Sequence, residues 1–362
     1  MREHKRLGGV DLFRGLAIYG VIVVHVDEAV NVLPLAWSRI HTFALFAVPF
    51  FLATAFYLAI SKLYTSPKNY SLSVRFFRLL IPYTVWSVFY LAFKAAKSLA
   101  AGEPSQVLSL LKDPLSLIFL GGAAYHLYFL PLLAAGTLLV KLAEVLIAKK
   151  TSLRGLLLIT LTSILLYQIV LVTGNGLDSS NHTAFNSLWS ALSLEGNSNP
   201  LLRCISVIFV WIVQCFPYVM IAMLLSYPPI HQRGLKMFNR SPLLWVSVFI
   251  IVNAYGSLVL PVALYELARG YTALIAAIAT SNWIKEDTFL RKIGYYSFGI
   301  YLIHLCLIKI FQSVAVRLTP NYVNDVSSIT LLLVSVLVLL MSWGITALLM
   351  KQKTLSKILF GF

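Results

Sequence analysis

The segment Asp11–His25 (DLFRGLAIYGVIVVH) sets three chemically active side chains in an otherwise apolar helical pattern. An α-helix turns about 100° per residue, so the eleven residues from Arg14 to His25 bring both side chains to within about 20° of each other on one face. The same helix separates them by about 16 Å along its axis. A guanidinium offers phosphate a planar fork of donors, and imidazole serves as a general base near pH 7. The segment therefore predicts a phosphate contact near one membrane surface and a proton acceptor deep in the membrane.

Each of these side chains also has a structural interpretation. Arg14 alone fits an arginine whose head reaches the lipid headgroups, and His25 alone fits a hydrogen-bonded core histidine. Asp11 lies three residues before Arg14 on the same face, where it either orients the guanidinium or serves as a carboxylate favoured by the helix dipole.

A second segment, Gly294–His304 (GYYSFGIYLIH), carries polar side chains on one stripe of a helix. Ser297, Tyr301 and His304 are spaced by four and three residues, so they share a face. Acyl transfer from a thioester needs a base and donors for the developing oxyanion, and the two hydroxyls are candidate donors or satisfied core hydroxyls.

A third histidine, His126, is the second residue of the segment 125–131 (YHLYFLP), and Tyr125 and His126 are predicted near the outer surface as substrate contacts. Three histidines on separate helices predict a polar pocket. Paired histidines at i and i+4 and clusters of intramembrane carboxylates are both lacking from the sequence, so we predict no metal.

Two arginines open the segment 75–83 (RFFRLLIPY). Arg75 and Arg78 fit cytoplasmic anchoring of a membrane helix, and they also fit phosphate contacts. A donor with several phosphates and a long thin arm, such as coenzyme A, would set its phosphates at the arginines and its thioester near His25.

The composition identifies the elements that must position these residues. The chain has 362 residues, of which 59% are hydrophobic and 12% charged, whereas a soluble domain is about one quarter charged. Apolar runs of about 20 residues recur along the whole length, which predicts an all-α polytopic membrane protein. The net charge of +16 reflects basic residues beside membrane helices, so a nucleic-acid partner is not expected.

Hydropathy predicts about ten transmembrane helices in a single domain over 1–362. Their predicted ranges are 12–33, 40–61, 76–98, 126–147, 155–173, 203–225, 242–260, 267–283, 294–316 and 328–350. The segment 114–124 is too short to span and is predicted to be re-entrant or interfacial. Basic residues cluster at the N-terminus (Arg2, Lys5, Arg6), after each even-numbered helix (including Lys62 and Lys68) and in the tail, which predicts both termini in the cytoplasm. The outer loops near 99–125 and 174–202 are the longest, so an acceptor would be met there.

These motifs resemble the acyltransferase-3 family of integral membrane O-acyltransferases. The spacing of Asp11, Arg14 and His25 is similar to the family's opening pattern, and Ser297, Tyr301 and His304 are similar to its late Ser-x-x-x-Tyr-Leu-x-His pattern. Residues 126–130 are similar to the family's His-Leu-Trp-Phe-Leu element. Residues 75–82 are similar to the Arg-rich segment with which the family's third helix begins. Two departures are Thr54-Ala55, where the family usually has Ser-Gly, and an expected lack of the appended extracytoplasmic hydrolase-like domain.

The resemblance implies a cytoplasmic acyl-coenzyme A donor and an acceptor met on the outer side. It implies that Arg14 holds donor phosphates, and that His25 activates the acceptor hydroxyl or relays the acyl group. His304, Tyr301 and His126 would line the pocket. The bacterial inner membrane is the family's commonest location.

We therefore predict a membrane-bound O-acyltransferase that moves an acyl group, acetyl by preference, from acyl-coenzyme A to a hydroxyl of a cell-surface or exported glycan. The alternative is a transporter of a polar solute or lipid-linked sugar, because mid-membrane histidines also suit proton relays. No inverted repeat is evident in the sequence, which speaks against a transporter. A structural or sensing membrane protein would explain the loops but not the shared face of Arg14 and His25.

Overall fold

Every regular element of the described chain is a helix. The computed structural model describes residues 7–66, 70–173, 185, 199–285 and 288–361. The α-helices are α1 (Gly8–Val26), α2 (Leu35–Ala44), α3 (Ala47–Thr65), α4 (Leu72–Ala100), α5 (Pro104–Ser109), α6 (Phe129–Ala148), α7 (Leu153–Val172), α8 (Pro200–Ser226), α9 (Pro228–Arg240), α10 (Pro242–Tyr255), α11 (Val262–Thr280), α12 (Phe289–Leu318), α13 (Ser328–Leu349) and α14 (Lys353–Phe360). Short 3₁₀ or π-helical turns lie at Ser116–Leu120, Tyr125–Tyr128, Gly256–Leu258 and Pro320–Val323.

The long helices have the length and the apolar composition that a polytopic membrane protein requires. Within the described ranges, 9 helical stretches are long and apolar enough to cross a membrane. Two further helices, Pro228–Arg240 and Pro242–Leu258, are inclined to each other by 95°. If this bent pair counts as one span, the described chain has up to 10 candidate spans. The predicted all-α architecture of about ten spans is thus confirmed. The cytoplasmic location of both termini stays a prediction, and Arg2, Lys5, Arg6, Lys68 and most of the loop 174–202 lie outside the described residues.

The first helix is displaced toward the N-terminus relative to its predicted range of 12–33. It begins at Gly8 and ends at Val26, with Asp27 as its C-cap. A hydropathy average extended the prediction because Val30, Val32 and Leu33 are apolar, although they follow the polar pair of Asp27 and Glu28. Arg14 consequently lies nearly two turns inside the helix rather than one.

The chain divides into two compact units, one formed by the described parts of Met1–Ala55 and Pro228–Lys353, the other by those of Phe56–Tyr227 and Thr354–Phe362. The single domain over 1–362 stays a prediction. The first unit contains α1, α2 and α9 to α13, and the second contains α4 to α8 with most of α14.

Close contact between α1 and α12 organises the first unit. A Cβ atom at Gly294 would lie 1.7 Å from the backbone oxygen of Asp11, and one at Gly15 would lie 2.4 Å from the backbone oxygen of Leu290. Small residues let membrane helices approach this closely and gain packing energy that lipid cannot supply. The two helices run in the same direction, because Asp11 meets Gly294 near their starts and Gln312 reaches the backbone oxygen of Val26 near their ends.

In the second unit, one tyrosine joins α4 to the short turn at Ser116–Leu120. The hydroxyl of Tyr83 donates to the backbone oxygen of Leu117 at 2.8 Å and accepts from the backbone nitrogen of Gly121 at 3.0 Å. The segment 114–124 therefore contains a five-residue π-helical turn that is held against α4, and it does not form a span.

Candidate active site

His25 of α1 and His304 of α12 are stacked in the first unit. Their ring centroids lie 5.5 Å apart, and the ring planes are inclined by 28°. The sequence predicted both residues on separate helices. The common direction of α1 and α12 explains their meeting, because each histidine lies about ten residues beyond the glycine contacts of its helix.

A carboxylate holds the imidazole of His25. The Nδ1 atom of His25 lies 2.9 Å from Oε1 of Glu28. An ionised carboxylate only accepts hydrogen bonds, so Nδ1 carries the hydrogen and donates it. In the neutral ring, Nε2 then holds the lone pair that can accept a proton. This is the carboxylate–histidine arrangement that sets the tautomer of a catalytic base.

Glu28 is held in turn by α12. Nζ of Lys309 lies 2.9 Å from Oε2 of Glu28, so the two carboxylate oxygens bind different partners. Lys309 also donates to Oε1 of Gln312 at 3.4 Å, and Nε2 of Gln312 donates to the backbone oxygen of Val26 at 3.2 Å. These bonds fix the last turn of α1, and with it His25, against α12.

His304 differs from His25 in both access and partners. Its residue is fully buried, whereas the side chain of His25 is 18% exposed. Its Nδ1 lies 2.7 Å from the backbone oxygen of Tyr301 and 3.2 Å from that of Ile300. Backbone carbonyls only accept, so His304 donates from Nδ1 to its own helix. His25 is therefore the more exposed ring of the pair.

The predicted hydroxyls lie on the same helix as His304. The ring centroid of Tyr301 lies 6.1 Å from that of His304, and Tyr301 is half-buried. Ser297 is buried one turn earlier. Tyr301 thus lies beside His304, and Ser297 lies on the preceding turn.

At the opposite end of α1, Asp11 is buried and paired across the helix contact. Nε of Arg291 in α12 lies 3.6 Å from Oδ2 of Asp11. Arg14 is half-buried one turn further along α1. Two arginines, Arg14 and Arg291, therefore occur at this end of the α1–α12 pair, and the sequence predicted a site role for Arg14 alone.

A second carboxylate–histidine pair ties α1 to α2. Oδ2 of Asp27, a buried residue, accepts from Nε1 of Trp37 at 2.8 Å and lies 2.8 Å from Nδ1 of His41. Because Trp37 is fully buried, this cluster serves to anchor the chain immediately after the turn that carries His25.

The predicted residues of the second unit occupy two different environments. Arg75 is half-buried; its Nε donates to Oγ1 of Thr137 at 3.3 Å, and its guanidinium carbon lies 6.0 Å from the ring centroid of Phe56. Arg78 is exposed one turn later.

The other predicted substrate contacts of the second unit lie among aromatic rings. His126 is buried, with its ring centroid 5.1 Å from that of Tyr90 and 6.1 Å from that of Tyr125. Tyr125 itself is half-buried.

Sequence reasoning missed Glu28, Lys309 and Arg291. One signal was present for Glu28, since it follows His25 by three residues, a spacing at which helical side chains meet. The partner of Glu28 is 281 residues away in the chain, so no local pattern indicates it. Over the described ranges, no group of three or more His, Cys, Asp or Glu side chains is arranged to hold a metal ion.

The sequence model of the acyltransferase-3 family, described as an acyltransferase domain, matches residues 7–350. This range includes α1, α12 and every residue that the sequence analysis selected. No curated protein and no solved structure matches the chain.

Proposed function

The chain belongs to the acyltransferase-3 family, and from this premise we propose that it transfers an acyl group from acyl-coenzyme A to a hydroxyl of a cell-surface or exported glycan. It is an integral membrane acyltransferase. We propose acetyl as the acyl group and the bacterial inner membrane as its location.

The observation that supports this proposal most strongly is the environment of the His25 imidazole. Glu28 accepts a hydrogen bond from its Nδ1, and the ring of His304 stacks on it. Acyl transfer to an alcohol needs a base, because a neutral hydroxyl is a weak nucleophile. Nε2 of His25, which holds the lone pair, supplies such a base on the more accessible ring of the pair.

In the proposed reaction, Nε2 of His25 takes the proton of the acceptor hydroxyl while the hydroxyl oxygen attacks the thioester carbonyl carbon. The tetrahedral adduct then collapses, its carbon–sulfur bond breaks, and the departing thiolate takes the proton from Nε2. The products are the ester and free coenzyme A thiol. Glu28 stays ionised and stabilises the imidazolium that forms between the two steps.

The neighbouring residues have supporting roles in this proposal. His304 positions the ring of His25, and Tyr301 and Ser297 are the proposed donors to the oxyanion of the adduct. His126 and Tyr125, in the second unit, are the proposed acceptor contacts.

The donor is proposed to bind through its phosphates. Arg14 is the proposed phosphate contact of the first unit, with Asp11 and Arg291 beside it. The separation of about 16 Å between Arg14 and His25 suits a donor whose thioester lies at the end of a long arm. Arg75 and Arg78 are the proposed phosphate contacts of the second unit.

Coenzyme A binding to the detergent-purified protein tests the donor assignment. We expect a thermal stabilisation that grows with coenzyme A concentration, as mass action requires. Arg14→Ala should remove it, whereas Arg39→Ala, which alters an exposed arginine of the first unit, should leave it unchanged. A well-folded wild-type protein without any shift for coenzyme A or acetyl-coenzyme A would contradict the proposal.

A further inference from the structure

The last helix, α14, lies beyond residues 7–350, which the family model matches. Its residues from Thr354 onward belong to the second unit. They pack on the first half of α4, the helix whose first two turns carry Arg75 and Arg78.

Two contacts fix this packing. Nε1 of Trp86, a buried residue of α4, donates to the backbone oxygen of Leu359 at 3.0 Å. Phe360 is almost completely buried at the end of the helix. The end of α14 is therefore a docked element of the second unit.

Gly361 brings the chain directly onto Arg78. Its φ is +72°, a conformation that side chains other than glycine rarely adopt. A Cβ atom there would lie 2.7 Å from the backbone oxygen of Arg78 and 3.2 Å from its Cα. Any larger residue would push the end of α14 away from the turn that carries Arg78.

A lysine of α14 lies one turn before this contact. The backbone nitrogen of Gly361 donates to the backbone oxygen of Lys357 at 3.1 Å. Lys357 and Arg78 are both exposed. Glu144 on α6, an acidic residue of the same unit, is already paired with Lys141 at 2.9 Å.

We propose that α14 completes a phosphate-binding site at the start of α4, by holding the backbone of Arg78 and by supplying Lys357 as a further cation. This inference rests on the proposed function, because the phosphates are those of the coenzyme A donor. Lipid headgroups offer the same phosphate chemistry, so the test must separate the two sources.

The test uses the full-length protein and two variants that act differently. Lys357→Gln removes the cation and leaves the helix docked, and Gly361→Ala displaces the helix end and keeps the cation. Lys351→Gln is the charge control, since Lys351 is exposed outside α14. Gly102→Ala is the backbone control, because Gly102 has a φ of +76° and a Cβ atom there would have nothing within 4 Å.

The dissociation constant of coenzyme A is measured in neutral detergent, and thermal stabilisation by phosphatidylglycerol is measured separately. We expect coenzyme A to bind each variant about fivefold more weakly than wild type, because Lys357→Gln removes an exposed charged contact and Gly361→Ala shifts the helix that carries it. Both controls should bind like wild type, and the stabilisation by lipid should be unchanged.

Unchanged coenzyme A binding in both variants would overturn the inference. Loss of the phosphatidylglycerol effect alone would assign the site to lipid and would also overturn it. If Arg14→Ala abolishes coenzyme A binding while both α14 variants bind normally, only this inference fails. If wild type binds no coenzyme A, the proposed function fails with it.

Discussion

His25 and His304 are stacked with their centroids 5.5 Å apart, and Nδ1 of His25 lies 2.9 Å from a carboxylate oxygen of Glu28. His304 donates from Nδ1 to the backbone of its own helix. The pair is therefore asymmetric: one ring is held for proton transfer, and the other is fixed as its support.

Replacing the carboxylate of Glu28 should lower the turnover rate and leave the binding of the coenzyme A donor unchanged. We expect Glu28→Gln to lower kcat by about 10²–10⁴-fold, because the amide neither fixes the tautomer of His25 nor stabilises the imidazolium. The measurement is kcat for thiol release, together with the dissociation constant of coenzyme A. Glu144→Gln, which breaks an exposed ion pair, is the control. Normal turnover in Glu28→Gln would remove the carboxylate from the mechanism.

Lys309 should act through Glu28 rather than on the substrate. We expect Lys309→Met to lower kcat by about tenfold with little change in KM, because Glu28 loses the partner that fixes its second oxygen. Lys309→Arg should recover most of the loss, since it keeps the charge and a donor. A rise in KM with normal kcat would indicate instead that Lys309 contacts a substrate.

The support role of His304 predicts a difference between two replacements. His304→Phe keeps an aromatic ring beside His25, and its kcat should lie within about threefold of wild type. His304→Ala removes the stack and should cost about tenfold. Equal and severe losses in both variants would show that a nitrogen of His304 takes part in the chemistry.

The glycine contact between α1 and α12 should be intolerant of a methyl group. A Cβ at position 294 would overlap the backbone oxygen of Asp11, so Gly294→Ala should destabilise the protein by about 1–3 kcal/mol and reduce activity by shifting the histidines apart. Thermal unfolding in detergent measures the loss. Gly344→Ala is the matched control, because nothing lies within 4 Å of a Cβ at that position. Equal stability of the two variants would contradict the close packing.

The helical architecture was predictable because membrane spans are local: about 20 consecutive apolar residues indicate one helix regardless of its neighbours. The end of α1 was not, because an average over a window cannot register that Asp27 pairs with Trp37 and His41 and so stops the helix. Such polar contacts depend on the position of α2.

The site was predictable in part, because some of its residues stand out from the sequence alone. His25 and His304 were selected because buried ionisable residues are costly and rarely without a role. Their stacking depends on the register of α1 against α12, which Gly15 and Gly294 set through contacts distant in sequence. The ion pair between Lys309 and Glu28 joins residues 281 positions apart in the chain, so no local pattern indicated it.

The most direct test of the proposed mechanism is acetyl-coenzyme A turnover by purified wild-type protein and His25→Ala, measured as release of free thiol with a glycan acceptor present. We expect wild type to release thiol in proportion to ester formed. His25→Ala should release none above background while still binding coenzyme A. Full turnover by folded His25→Ala would contradict the assignment of His25 as the base.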